Sequence, residues 1–162
     1  MANLNYNQVN NIIQNNRDVF DFEIEGIEVD KVAKAEDALE IKMPPSYREF
    51  LLHYGNGGVG FLEIYGLTKN SSDDFSVGKI PNGIWLTLNE RKQSGLPHRF
   101  IIIGSTGDGY WYALDSSQPD KDGEYPVGIC GFGENNEGFE KTNNNFAEYL
   151  FEQVTLALED QD

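Results

Sequence analysis

Tyr6, Val9 and Ile13 recur at three- and four-residue intervals among polar neighbours, a spacing that predicts a short amphipathic helix ending near Arg17. Phe20-Asp21-Phe22-Glu23-Ile24 then alternates apolar with acidic residues, the period of a short strand or an extended connection. From Asp30, a natural N-cap, Val32, Glu36 and Leu39 share one face of a second helix of about ten residues. The sharpest pattern is PPSYREFLLHYGNGG, residues 44–58. Pro44 and Pro45 suit a helix start, and Tyr47, Phe50, Leu51 and Tyr54 follow at i, i+3, i+4 and i+7. Gly55 and Asn56 supply left-handed positions that stop a helix, and Gly57-Gly58 frees the chain for a sharp turn.

The second half changes period. Phe61-Leu62-Glu63-Ile64-Tyr65 reads as a strand, residues 70–74 as a polar loop, and Trp85 to Arg91 as a short helix ahead of Gly95 and Pro97. Three strands follow, at residues 100–104, 110–115 and 125–132, and the turn GSTGDG at 104–109 joins the first two as an antiparallel hairpin. Phe146, Tyr149, Leu150 and Val154 predict a closing helix from about Asn145. Helices, then neighbouring strands, then a helix indicate one α+β domain, with an antiparallel or mixed sheet flanked by N-terminal helices and a C-terminal helix. Within it, residues 1–29 read as an N-terminal helix and connection, 30–155 as the body, and 156–162 as an acidic tail whose last residues, Glu159-Asp160-Gln161-Asp162, fray.

Composition adds the character of the surface. With 162 residues and 39% hydrophobic positions the chain can bury a core, and its net charge of −15 repels phosphate backbones and anionic lipid. A nucleic-acid or membrane partner is therefore not expected. Cys130 is the single cysteine, and the first residues lack the basic and apolar regions of a signal peptide, so a reducing, cytoplasmic setting is expected. The sequon Asn70-Ser71-Ser72 reads as a polar loop only.

Several patterns resemble chemistry without its context. GNGGVG at 55–60 satisfies Gly-x-Gly-x-x-Gly, but a helix precedes it and a strand follows, the reverse of a dinucleotide fingerprint. If Gly123 of Asp120-x-Asp122-Gly123 stood sixth in a calcium loop, Gln118 and Ile129 would replace the terminal carboxylates, so a turn between strands is the reading. Two histidines, His53 and His98, are too few for a His-based metal site or triad, and Cys130 among apolar neighbours reads as a core residue. Asp73-Asp74 carries no weight as an acid/base pair without a cleft. No catalytic residue, metal ligand or cofactor site is assigned, and an acidic hydrolase ranks last among the functions considered.

Charge and one aromatic point instead to recognition. Residues 1–99 hold 14 acidic and 10 basic side chains, whereas residues 100–162 hold 13 acidic and only Lys121 and Lys141. A surplus of this kind either keeps a surface solvated or steers a basic protein towards it. Strand alternation sets Trp111 opposite Tyr110 and Tyr112, on the less buried face, as a candidate anchor. The expected docking surface is therefore Asp108, Trp111, Asp115, Asp120, Asp122 and Glu124, joined by Asp73, Asp74, Glu134 and Glu137.

KMPPSYREFLLHYGNGG resembles the hallmark of the SUKH superfamily, which takes its name in part from yeast cell-wall-synthesis regulators. The resemblance rests on Glu36, Pro44, Pro45, Tyr47, Phe50, Leu51, Tyr54, Asn56, Gly57 and Gly58. It extends through Tyr65-Gly66-Leu67, FIIIG with Gly107-Asp108-Gly109, and Phe146, over about residues 30–155. At residues 126–131 PVGICG departs from the aromatic-plus-acidic ending of that pattern. The resemblance implies an α+β domain whose bacterial members mostly act as immunity proteins, binding and blocking the toxin domains of polymorphic toxins, many of them nucleases. The second function it implies is a regulatory adaptor like the cell-wall-linked relatives. The motif itself reads as helix start, core face and helix stop, a structural element and not a binding site.

Overall fold

The computed structural model describes residues 5–22, 26–69 and 72–160. Helix α1 (Tyr6–Asn15) begins at a capping box in which the Asn5 side chain accepts the Gln8 N–H and Gln8 accepts the Asn5 N–H. It buries Tyr6, Val9 and Ile13 and ends two residues before the expected Arg17, which opens a single 3₁₀ turn. Strand β1 is short (Asp21–Phe22), and the rest of the alternating stretch, Glu23-Ile24, lies outside the described residues. Helix α2 (Val29–Leu39) is capped at Glu28, so Asp30 falls in the first turn, where its charge favours the helix dipole, instead of at the cap.

Helix α3 (Pro45–His53) follows Pro44 at the N-cap, with Tyr47, Phe50 and Leu51 buried completely and Tyr54 almost so. Gly55 takes the left-handed conformation at φ 80° just past the end of the helix, but Asn56 does not, and its side chain ties the chain to the segment after Ile64. Its Nδ2 donates to Leu67 O at 2.9 Å while Leu67 N–H donates to Gly55 O. Gly57-Gly58 is not a sharp turn. It enters strand β2 (Gly57–Val59), which pairs antiparallel with both β1 and β3 (Leu62–Ile64). A Cβ on Gly57 would stand 1.8 Å from the Phe22 ring, so glycine there lets that ring lie across the strand.

The remaining elements are α4 (Gly83–Gln93), β4 (Phe100–Ser105), β5 (Trp111–Asp115), β6 (Val127–Cys130), β7 (Phe139–Asn143) and α5 (Phe146–Glu159). The β4–β5 hairpin and the closing helix from Asn145 stand where the pattern places them, while the polar run of β7 carries no apolar alternation and is visible only as a partner of β6. There are two antiparallel sheets, β1-β2-β3 and β4-β5-β6-β7, where the sequence suggests one. The chain after Ile64 is drawn aside to stitch the end of α3. It gives β4 one bond, Tyr65 N–H to Ile103 O at 2.8 Å, in place of a ladder.

Both faces of β4 are buried. Ile101 and Ile103 enter the main core with α1, α2, α3 and α5; Phe100 and Ile102 join a second cluster with Leu86, Leu96, Ala113 and Cys130. That explains an unbroken apolar run where one-sided strands alternate. Helix α1 shares the main core and packs on α5. Among the described residues, no helix is long and apolar enough to cross a membrane.

Candidate functional site

A hollow of about 700 Å³ lies between the start of α1, the β5–β6 loop and the start of α5. Its charged lining is Asp120, Asp122, Glu124 and Glu148 against Lys121 and Lys141. The loop owes its form to Asp120, whose Oδ1 accepts the N–H groups of Asp122 and Glu124, while Gly123 turns the chain at φ 81°. Asp122 enters this turn through its backbone and remains exposed. Opposite it, Asn145 caps α5 by accepting the Glu148 N–H, and the Glu148 carboxylate takes two bonds from Asn144.

Glu124 differs from its neighbours. Its carboxylate accepts the Ser46 N–H at 3.2 Å and the Ser46 hydroxyl at 3.0 Å, supplying from another segment the cap that Pro44 cannot give α3. Burial pushes its pKa up, and the charges of Asp120 and Asp122 add to that, against the lowering effect of the Ser46 bonds. Glu124→Ala should therefore destabilise the fold by about 1 kcal/mol, measured by denaturant unfolding. A raised folded-state pKa means that the folded chain binds this proton more readily than the unfolded chain. The stability of wild type relative to Glu124→Gln should accordingly grow as pH falls through the folded pKa and diminish as pH rises through it.

The other expected docking residues are scattered. Asp115, at the end of β5, is only 1% exposed. Its Oδ1 accepts Ser117 N–H and Oγ–H, its Oδ2 accepts Gln118 Nε2–H, and Arg99 Nε lies 3.5 Å away. Its oxygens tie the loop to the sheet. Trp111 is half-buried in the second cluster, against Gly131, and is not a free-standing anchor. Asp108 sits on the β4–β5 turn, at the opposite end of β5 from the acidic loop, and accepts the Thr106 hydroxyl. Glu134 and Glu137 are exposed in the β6–β7 connection, where Arg99 Nη2 holds the Glu137 carbonyl at 2.9 Å. Asp73 is paired with Lys34 at 2.8 Å and Asp74 with Ser76; both border hollows beside α2 and α4, away from the cleft, and these bonds hold both carboxyls below their usual range. Glu148, absent from the sequence expectation, joins the cleft because α5 starts beside the β5–β6 loop; no local pattern carries that information.

The lining of the cleft contains no His or Cys. His53 stacks on Tyr6, whose hydroxyl lies 2.9 Å from its Nδ1. His98 stands 3.6 Å from Glu40. Cys130 is buried in the second cluster and burial pushes its thiol up to about 12, the condition of an inert core residue. Among the described residues no three His, Cys, Asp or Glu side chains are grouped so as to hold a metal ion. The arrangement suits electrostatic recognition of a positively charged surface.

Two comparisons bear on this arrangement. The SUKH_5 family model, described as SMI1-KNR4 cell-wall, matches residues 7–155, so the match takes in α1 and begins well before the residues that carried the resemblance in sequence. A crystal structure of a protein from Pseudomonas syringae pv. tomato aligns with a TM-score of 0.50 at 20% identity, over 73% of this chain and 81% of that chain. The second likeness is one of fold.

Proposed function

The chain belongs to the SMI1-KNR4 cell-wall family, and on that membership we propose that it is a non-catalytic immunity protein that occludes a basic toxin domain stoichiometrically. The family match over residues 7–155 carries the reading. The cleft supports it, since Asp120, Asp122, Glu124 and Glu148 outnumber Lys121 and Lys141 in its lining and leave an acid surplus complementary to a nuclease-like, phosphate-binding partner. Such a protein works in the cytoplasm, as a one-to-one complex whose formation blocks the partner's substrate groove.

Where an adjacent reading frame encodes a basic toxin domain, co-expression with that domain should rescue growth in proportion to the amount of this protein. Absence of protection would overturn the proposal. Asp122→Lys leaves the turn's hydrogen bonds in place, because the residue contributes its N–H, and should slow association with that domain without changing stability. The wild-type on-rate should also fall with added salt, over a Debye length of about 8 Å at physiological ionic strength. Stopped-flow association across a salt series measures both.

The family description favours a second reading, a regulatory adaptor linked to cell-wall synthesis. A gene neighbourhood with cell-wall enzymes and no toxin frame would move the proposal there.

A further inference from the structure

Phe61 is fully exposed at the tip of the β2–β3 hairpin, where it contributes nothing to the core. The register pairs Val59 with Leu62, leaving Gly60-Phe61 as a two-residue turn. Gly60 provides the positive φ, 63°, that such turns require, but the second position ordinarily takes a small or polar residue, and a phenylalanine there gains no burial within its own chain. The tip is not adrift: a Cβ on Gly60 would already touch Ala157 Cβ at 3.4 Å, so the hairpin rests on α5 and presents the ring from a rigid base. Beside it Leu156, half-exposed on α5, completes a hollow of about 330 Å³ with Leu62, Tyr112 and Ala157.

Asp160 is the charged residue in the lining of this hollow. The three segments that build it, residues 57–63, 104–112 and 153–160, contain Glu63, Asp108, Glu159 and Asp160, all exposed, and no lysine or arginine. A second copy of this chain is a poor occupant, because a two-fold interface sets a patch against itself and would bring these carboxylates together. A rigid apolar centre with an acidic rim instead fits a protein surface that offers an apolar pocket ringed by Lys and Arg.

We infer that the Phe61 hairpin, with Leu156 and its acidic rim, is the anchoring surface for a basic protein partner. The inference rests on the immunity reading for the identity of that partner. It assigns the short-range contact to the Phe61 end of the molecule, while the β5–β6 cleft contributes long-range attraction.

Calorimetry and stopped-flow binding of the purified full chain to the adjacent-frame toxin domain test this. Phe61→Ala should keep the wild-type unfolding midpoint, since its side chain faces solvent, and Leu156→Gln, which adds no charge to the last turn of α5, should stay close to it. Phe61→Ala should weaken the complex about 30-fold or more, through faster dissociation with little change in on-rate, as expected when a central aromatic is truncated. Wild-type-like affinity in both variants, with wild type itself binding, would overturn this surface and leave the immunity reading standing. Failure of wild type to bind would overturn both. Sedimentation should show a monomer; a dimer dissolved by Phe61→Ala would make this face a self-interface and overturn the assignment to a partner.

Discussion

Phe50→Ala should lower the free energy of unfolding by about 3–5 kcal/mol, because it removes a completely buried ring and leaves a cavity its neighbours cannot fill. Those neighbours are held independently. The Phe50 ring centroid lies 5.3 Å from that of Phe146, 5.8 Å from Tyr54, 5.9 Å from Phe22 and 6.4 Å from Tyr47. Tyr47 is fixed by its hydroxyl, which donates to Tyr65 O at 2.9 Å, and Tyr54 by bonds with Asn10 and Gln14. With Tyr47 and Tyr54 pinned by their own hydroxyls the cage relaxes little, which puts the cost in the range for core truncation. Urea unfolding at constant m-value checks this. A loss below about 1 kcal/mol would show that α3 does not organise the core.

Asp115→Ala should destabilise the fold by about 3 kcal/mol. The carboxylate is buried and takes four contacts, so its removal breaks the bonds that hold Ser117 and Gln118 to the sheet and leaves Arg99 without its acid. The estimate sits at the low end for breaking a buried pair because the Arg99 side chain remains 32% exposed and is also held over the Phe100 ring at 4.3 Å. Any loss of partner binding in this variant should track the loss of folded protein and vanish at temperatures where the variant is fully folded. Unchanged stability together with a slower on-rate would return Asp115 to the docking surface.

The elements were legible wherever a period ran long enough to be distinctive. The Tyr47, Phe50, Leu51 and Tyr54 face, the apolar run of β4 and the start of α5 at Asn145 are local patterns, set by helix geometry, two-sided burial and capping. β7 and the β1–β2 pairing were not legible, because FEKTN and Gly57-Gly58 become strands through their partners and have no intrinsic preference for that state. The division into two sheets follows from the same kind of nonlocal cause, the Gly55–Leu67 stitch that pulls the chain away from β4.

What the sequence determined by itself is the fold class, the family and the acidic bias of residues 100–162, since hydrophobic period, a linear motif and charge are all properties of the chain in order. It could not sort those acids. Asp115, Glu124 and Asp122 stand within ten residues of one another, yet one is buried against Arg99, one caps a helix begun at Pro45, and one is free at the cleft rim. Nor could it single out Phe61 from the strand that it adjoins, because alternation reads it as apolar and says nothing of the turn. Exposure, pairing and the meeting of Phe61 with Leu156 depend on contacts between residues far apart in the chain, and only the tertiary structure decides them.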